Sequence, residues 1–227
     1  MSRHRKIFRR FIVSAGILLL AILGVSILVT LPLRWLNPQS SAFMVRSSVP
    51  VMQEWVDIEH ISAWMPIAVV ASEDQKFPTH GGFDFESIQD AMNDSEGPRR
   101  GASTISQQVA KNLYLWPGKS FFRKGVEAYL TVLLETFLSK RRILEIYLNI
   151  AEFGEGVYGV EAAARAHFSK SAGSLSRHEA ARLAAVLPNP RLMSASRPSR
   201  YVVHRTSSIE RAIGYLGGPS FLDNILQ

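Results

Sequence analysis

The chain has 227 residues, of which 47% are hydrophobic and none is cysteine. This length accommodates one folded core plus a membrane segment, and the lack of cysteine excludes disulfides and thiolate metal sites. The net charge of +7 does not indicate nucleic-acid binding, because no acidic residue precedes Glu54 and six bases flank one apolar segment. These bases are Arg3, Arg5, Lys6, Arg9, Arg10 and Arg34. Without these six of the 26 bases, 20 bases face 19 acidic residues, so the rest of the chain is nearly neutral.

The apolar segment at residues 11–33 is predicted to be a single transmembrane anchor. It contains 23 residues without a charge, which is long enough to cross about 30 Å of hydrocarbon as a helix. A cleavable signal peptide is the alternative, but its apolar region would be shorter and a small-residue cleavage site would follow it. Five bases precede the segment and only Arg34 and Arg46 follow it closely. The positive-inside rule therefore predicts a cytoplasmic basic tail at residues 1–10 and places everything from Arg34 onward outside.

The remainder of the chain is predicted to be a short neck followed by one all-α domain. Residues 34–60 are rich in proline and serine and read as the neck. Residues 61–227 show helical periodicity almost throughout, and no alternating strand pattern competes with it. The predicted helices span residues 62–73, 84–93, 104–114, 121–138, 140–150, 157–168, 176–186 and 200–216. A loop is expected at residues 93–100, where turn formers and charged residues cluster.

A carboxylate pair, Glu73 and Asp74, directly follows the apolar run at residues 66–72. Pro78 and the glycines after it end the helix there. A reactive carboxylate at the end of a buried segment would reach the wall of a cleft. The alternative is a solvated helix terminus, which is the commoner situation for acidic residues. The histidines show no metal-ligand spacing, so His80 is interpreted as a hydrogen-bonding residue beside this cleft.

A polar helix face follows the predicted loop. Ser103 or Thr104 can cap the helix, and Thr104, Gln108 and Lys111 then fall on one side of it. This face is either the wet side of an ordinary helix or a surface whose amides and hydroxyls hold sugars while Lys111 holds a phosphate.

A second charged cluster, at Arg123, Lys124 and Glu127, precedes the nearly continuous apolar segment at residues 128–134. The cluster is either an exposed pair spaced at i and i+4, which would contribute little, or a carboxylate at the mouth of a buried helix with a functional role.

Two further patterns need interpretation. The aromatic segment at residues 113–122 is expected either to enter the membrane surface in part or to pack in the core. The glycines of residues 154–159 match the dinucleotide-binding fingerprint. The preceding segment is predicted to be helical and no βαβ unit surrounds it, so these glycines are interpreted as a turn between helices.

Four segments, in this order, carry a resemblance. They are Glu-Asp-x-x-Phe-x-x-His-x-Gly from Glu73, Gly-x-Ser-Thr-x-x-x-Gln-x-x-Lys-Asn from Gly101, Arg-Lys-x-x-Glu from Arg123 and Lys-x-x-Ile-Leu-Glu-x-Tyr-Leu-Asn from Lys140. Together they resemble the peptidoglycan glycosyltransferase family, which includes domains of class A penicillin-binding proteins. The likeness covers about residues 61–195 and is greatest to the monofunctional branch.

Two departures accompany the resemblance. Bifunctional relatives carry a lysine near the position of Pro188, so one phosphate contact of those relatives is missing here. The last motif of the family is represented only loosely, by Arg205, Ile209 and Ile213.

The resemblance implies a lysozyme-like helical fold that polymerises lipid II into β-1,4-linked glycan strands and releases undecaprenyl pyrophosphate. Glu73 would be the general base in an inverting displacement, and Glu127 would help to stabilise the leaving pyrophosphate. The resemblance leaves open whether a divalent cation, Mg²⁺ or Mn²⁺, binds near the pyrophosphate. The implied substrate-binding residues are Ser103, Thr104, Gln108, Lys111, Asn112, Arg123 and Lys124. The implied supporting residues are Asp74, Phe77, His80 and Asn149.

The expected partners are lipid II, the growing glycan strand, the membrane and other cell-wall synthases, with no nucleic acid. The expected location is the inner membrane, with the catalytic domain in the periplasm. Two alternatives are a lysozyme-like lytic enzyme that cleaves glycan strands and an inactive membrane-tethered partner of cell-wall assembly. The first does not explain the cations around Glu127, and the second does not explain why both glutamates are present.

Overall fold

A computed structural model of the chain describes residues 3–93, 103–118 and 120–226. Of the predicted loop at residues 93–100, all but Asn93 lies outside the described residues, and Asn93 ends a helix. The helices are α1 (Arg3–Thr30), α2 (Ala42–Val45), α3 (Trp64–Glu73), α4 (Phe85–Asn93), α5 (Ile105–Tyr114), α6 (Phe121–Phe137), α7 (Lys140–Ile150), α8 (Val160–Phe168), α9 (Arg177–Val186), α10 (Arg200–Tyr215) and α11 (Asp223–Leu226). Short 3₁₀ turns lie at Leu31–Arg34, Ile58–His60, Ala172–Ser174 and Gly218–Leu222.

The predicted all-α class is confirmed, and each helix predicted from residue 62 onward is present with ends that differ by three residues or fewer. Five of these helices begin directly after a serine or threonine whose hydroxyl accepts a backbone N–H three residues later. Such caps satisfy donors that the first turn of a helix leaves free, and each stabilises its helix by about 1 kcal/mol. The capping residues are Thr104, Ser120, Ser139, Ser176 and Ser199.

The expectation that no strand would form is wrong for seven residues. Strands β1 (Met52–Gln53), β2 (Glu152–Gly154) and β3 (Val157–Tyr158) form a small sheet in the order β1-β3-β2. Strand β3 is parallel to β1 and antiparallel to β2. Strands of two or three residues are too short to show an alternating pattern, so periodicity could not reveal them.

The same sheet corrects the interpretation of the glycine pattern at residues 154–159. The segment before the turn is strand β2 rather than helix, and the turn joins two strands. Gly156 has a φ of 74° and accepts a hydrogen bond from the backbone of Met52. Gly159 has a φ of 81°, and a side chain there would meet the Asn149 carbonyl at 2.8 Å. These glycines thus permit a tight hairpin against α7, and no βαβ unit surrounds them within the described residues.

Helix α3 is the centre of the core. All residues from Met65 to Ala71 are buried, because α9, α10 and the 3₁₀ turn at Gly218–Leu222 pack against this helix. A helix that is apolar all round is stable only when it is enclosed in this way. The polar residues Glu73 and Asp74 come at its C-terminal end, and the core therefore holds the backbone of both carboxylates in place.

Helix α7 fixes the segment predicted as the neck, residues 34–60, to the rest of the domain. The Arg142 guanidinium donates to the carbonyls of Leu33 at 2.7 Å and Leu36 at 2.9 Å. Next to the last residue of α7, the side-chain amide of Asn149 pairs with both backbone groups of Val56, at 2.8 and 2.9 Å. The neck segment is therefore packed on the domain along its length.

The N-terminal helix lies next to this packed segment. Residues Ile7–Arg34 form a stretch that is long and apolar enough to cross a membrane, and most side chains from Ile7 to Leu23 are exposed, as a lipid-facing helix requires. The Tyr114 hydroxyl at the end of α5 donates to the carbonyl of Val29 at 3.1 Å. The end of the anchor is thus joined to the helices that carry the polar residues described below.

Candidate active site

Glu73 ends α3, and its carboxylate is held by side chains from two other helices. The amide Nε2 of Gln108 on α5 donates to Oε2 at 3.1 Å, and the Arg205 guanidinium on α10 donates to Oε1 at 3.2 Å. The Glu73 side chain is only 14% exposed. The solvated-terminus alternative is therefore excluded for this residue.

Burial raises the pKa of the Glu73 carboxyl above its ordinary value of 4.5. The hydrogen bond from Gln108 and the charges of Arg205 and Lys111 oppose this rise, in that order of size. A carboxylate whose pKa is raised toward the working pH is a better general base than one in water. The surroundings of Glu73 thus suit proton abstraction.

Asp74, the other member of the carboxylate pair, supports the fold. It accepts hydrogen bonds from His80 Nε2 at 2.9 Å and from the backbone N–H of Ile105, the first residue of α5, at 2.9 Å. The Gly82 N–H donates to His80 Nδ1 at 3.1 Å, which assigns the ring proton to Nε2. Asp74 and His80 thereby join the loop after α3 to the start of the helix that carries Gln108.

Phe77 lies beneath this loop and is fully buried. Its ring meets the His80 ring edge-on at 6.3 Å between centroids. The Lys140 ammonium lies 4.5 Å from the centroid of the Phe77 ring. Phe77 therefore anchors the loop by packing.

The hydroxyl groups of Ser103 and Thr104, which were both predicted to bind substrate, have different surroundings at the start of α5. The Thr104 hydroxyl is buried, accepts from the Gln107 N–H and donates to the Gly82 carbonyl at 2.7 Å. Its donor is used inside the protein, so the geometry assigns Thr104 to the cap rather than to a sugar. Ser103 is half-buried, and its hydroxyl accepts from the Lys124 ammonium at 3.4 Å.

Glu127 lies on α6 and is surrounded by cations. Its side chain is 3% exposed and accepts from Arg123 at 3.0 Å on one oxygen and from Lys124 at 2.5 Å on the other. Arg123 is itself nearly buried, and its Nε has no partner among the described residues. An exposed i and i+4 pair is excluded by this burial, and both oxygens of the buried Glu127 carboxylate are paired with a cation, as a buried charge requires.

Lys111 connects the two glutamates. Burial lowers the pKa of its ammonium below the ordinary value. The negative charge of Glu127 opposes this shift most strongly, and that of Glu73 opposes it more weakly, while Arg123 and Lys124 add to it. Direct contacts also connect the two carboxylates through the start of α5. Gln108 on this helix donates to Glu73, and Ser103 just before it accepts from Lys124, which pairs with Glu127. Asn112, the residue after Lys111, is half-buried, and no hydrogen bond of its side chain occurs within the described parts of the chain.

Asn149 is brought to a different place from the other predicted residues. It is fully buried and pairs with Val56 and with the Glu145 carbonyl. Its observed contacts fix the neck segment.

Two residues at the cleft were not among the predicted site residues. Tyr147 is buried and donates from its hydroxyl to Gln108 Oε1 at 3.1 Å, and Arg205 binds Glu73 as described. Tyr147 could have been identified from its position in the motif that begins at Lys140. Arg205 could have been identified from the last motif of the family, which is only loosely represented here.

The described residues do not form a resident metal site. No group of three or more acidic, histidine or cysteine side chains in this part of the chain is arranged to hold an ion. Both oxygens of Glu127, the carboxylate at the cationic end, are already paired with cations. Divalent ions such as Mg²⁺ need oxygen ligands that are free to coordinate.

An all-helical domain that carries a desolvated carboxylate and a nearly buried cationic cluster has the parts of an enzyme that transfers glycosyl groups. A family model described as Transglycosylase matches residues 42–213, and the chain belongs to that family. The predicted family, transferase class and lysozyme-like helical fold are thereby confirmed.

Named relatives agree. The chain is 52% identical over 208 residues to the biosynthetic peptidoglycan transglycosylase of Pseudomonas putida strain GB-1, covering 87% of this chain and 88% of the relative. It is 47% identical over 225 residues to the protein of the same name from Xanthomonas campestris pv. campestris strain B100, covering 94% of this chain and 90% of the relative. The likeness therefore extends beyond the catalytic motifs into the neck and anchor region.

Proposed function

We propose that the protein is a peptidoglycan glycosyltransferase that polymerises lipid II into β-1,4-linked glycan strands. Its family and the names of its relatives support this class of activity. The observation that carries the mechanism is that residues 103–108 contact both sites, through the bond from Gln108 to Glu73 and the bond from Lys124 to Ser103. One cleft can then serve both the attacking sugar and the departing pyrophosphate.

In this reaction Glu73 takes the proton from the 4-hydroxyl of the acceptor lipid II. The freed oxygen attacks the anomeric carbon of the donor, which is the lipid-linked end of the growing strand. A new carbon–oxygen bond forms as the bond to the pyrophosphate breaks, and undecaprenyl pyrophosphate leaves with the electron pair. Attack from the opposite face inverts the α-linked donor to a β-linkage.

The second half of the cleft stabilises the leaving group. Lys111, Arg123 and Lys124 supply three positive charges against the single negative charge of Glu127. Cations already fixed in a partly buried site offset developing negative charge without reorganising during the reaction. In this scheme Glu127 holds Arg123 and Lys124 in place, and Ser103 extends the same surface.

The same scheme predicts the protein's location. The catalytic domain lies on the periplasmic face of the inner membrane, since lipid II has a lipid tail and the basic tail precedes the anchor. Part of the segment at residues 113–122 then contacts the bilayer. Leu113 and Leu115 are buried, whereas Phe121 is 100% and Phe122 75% exposed. Other cell-wall synthases are expected to work beside it.

Incubation of the purified protein with labelled lipid II tests this function. Polymer formation is expected for the natural chain and should be lost in Glu73→Gln. Cleavage of preformed glycan strands without polymer formation would instead support the lytic alternative. Neither product would support the inactive partner, and either of these two outcomes would contradict the proposal.

A further inference from the structure

Tyr147, Gln108 and Glu73 form a chain of hydrogen bonds across three helices. The Tyr147 hydroxyl on α7 donates to Gln108 Oε1 at 3.1 Å, and Gln108 Nε2 on α5 donates to Glu73 Oε2 at 3.1 Å. The Tyr147 ring is enclosed in the core. A buried side chain from one helix therefore sets the surroundings of the general base through a residue of a second helix.

A glutamine amide can be turned by half a revolution, which exchanges its oxygen and its nitrogen. In the observed orientation Gln108 presents N–H to the Glu73 carboxylate. In the turned orientation Gln108 would present its carbonyl oxygen to the same carboxylate, and two acceptors would repel each other. Which orientation is populated depends on what the other end of the amide meets.

The other end of the amide meets a fixed donor. Burial raises the pKa of Tyr147 well above 10, and the charges of Glu73 and Asp74 add to this effect. The hydroxyl therefore keeps its proton at any working pH. Among the described residues its sole hydrogen-bond partner is Gln108 Oε1. Turning the amide would leave this buried hydroxyl without an acceptor, which protein interiors avoid.

We propose that Tyr147 is a positioning residue that locks the Gln108 amide with its N–H toward Glu73. The lock keeps the carboxylate oriented and ionised for proton abstraction. This inference rests on the proposed role of Glu73 and extends it to a residue that touches no substrate.

Three other residues act on Glu73. Arg205 on α10 and Lys111 on α5 favour its charged form, and Ser72 on α3 does so weakly. These contacts do not involve the Tyr147 hydroxyl. Tyr147→Phe removes one oxygen atom, leaves these three in place and frees the Gln108 amide to turn. Glu73 then loses a donor for part of the time, so its pKa rises.

The test is the pH dependence of kcat/KM for lipid II polymerisation by the full chain in liposomes. A base must be deprotonated to act, so Tyr147→Phe should move the acidic limb of the profile to higher pH. On the acidic side of the profile, kcat/KM should fall about tenfold, which corresponds to a shift of the limb by roughly one pH unit. At higher pH, kcat/KM should recover. Tyr158→Phe is the matched control, because Tyr158 is also buried and its hydroxyl contacts the Phe43 carbonyl instead. It should leave the limb unchanged.

A second variant separates positioning from packing. Gln108→Met removes the amide and should by itself shift the acidic limb upward. Adding Tyr147→Phe to Gln108→Met should then cause no further shift. An equal loss at every pH, an unchanged profile, or a further shift in the double variant would each overturn the inference.

Failure of the proposed function would be visible separately. If the natural chain makes no polymer, the function itself is wrong. If the natural chain polymerises and Tyr147→Phe leaves the acidic limb in place, only the positioning role is wrong. Should Tyr147→Phe not fold, the Gln108→Met profile alone decides, since an unmoved limb there removes the amide from any role at Glu73.

Discussion

The two glutamates of the cleft, Glu73 and Glu127, have the same side chain and opposite surroundings. Glu73 has one cation and one amide in contact and a pKa raised by burial. Glu127 is even less exposed, yet each of its oxygens carries a cation. The comparison teaches that burial makes a carboxylate a base only when its charge is left partly uncompensated. Where cations compensate it fully, the carboxylate instead organises those cations.

The largest expected effect is the loss of the base. Glu73→Gln should lower polymerisation by about 100- to 10,000-fold, since this is the contribution of general acid–base catalysis. Lipid II polymerisation measured at saturating substrate checks this. Glu155→Gln is the control, because Glu155 is an exposed residue of the hairpin turn between β2 and β3. Activity retained by Glu73→Gln would remove Glu73 from its role.

Glu73→Gln should also change the stability of the folded protein. The folded state raises the pKa of Glu73, so this group favours folding below its unfolded pKa, and that contribution is lost as pH rises through the folded pKa. Near pH 7 the ionised Glu73 is therefore a cost to folding, and Glu73→Gln should stabilise the protein at that pH. Denaturant unfolding at pH 7 and pH 4 measures this, and the gain should shrink at the lower pH.

Glu127→Gln should destabilise the domain instead. It leaves Arg123 buried beside Lys124 without a counter-charge. Breaking a buried pair costs about 3–5 kcal/mol, and because Lys124 is half exposed we expect about 2 kcal/mol. The same denaturant titration at pH 7 tests it. A stability change of the same sign in Glu73→Gln and Glu127→Gln would refute the contrast between the two sites.

Removing Arg205, the cation that contacts Glu73, should have an intermediate effect on polymerisation activity. Arg205→Ala takes away one contact that favours ionised Glu73, so the pKa of Glu73 should rise further. The acidic limb of the activity profile should move to higher pH, with a loss of about tenfold below it. Arg205→Lys keeps the charge and should restore most of the lost activity. A loss that does not depend on pH would instead indicate a substrate contact.

The parts of this comparison that could be predicted were those written in local sequence. The apolar run of α3 followed by Glu73 and Asp74, and the cap expected at Ser103 or Thr104, indicated the helices α3 and α5 and the position of the base. The contacts that distinguish the two sites are long-range. Arg205 meets Glu73 from 132 positions away, and Tyr147 meets Gln108 from 39. No periodicity encodes such pairings, because they depend on how α7 and α10 pack against α3 and α5.

Thr104 and Asn149 were predicted as site residues from their motifs, but their observed contacts are structural. Both lie in motifs that carry the chemistry, and both are used inside the fold, one as a cap and one as a clamp on the neck segment. A motif identifies the residues that a site requires. Burial and hydrogen-bond partners are needed to tell which of them face the cleft.

The smallest expected effect concerns the membrane surface. Trp116 and Phe121 are exposed near the end of the anchor, so Trp116→Ala with Phe121→Ala should weaken liposome binding of the domain without its anchor. The reduction should be several-fold, because each buried aromatic contributes apolar area at about 25 cal/mol per Å². Tyr215→Ala is the control, since Tyr215 is also an exposed aromatic residue, at the end of α10. Unchanged binding in the double variant would mean that the anchor alone holds the cleft at the bilayer.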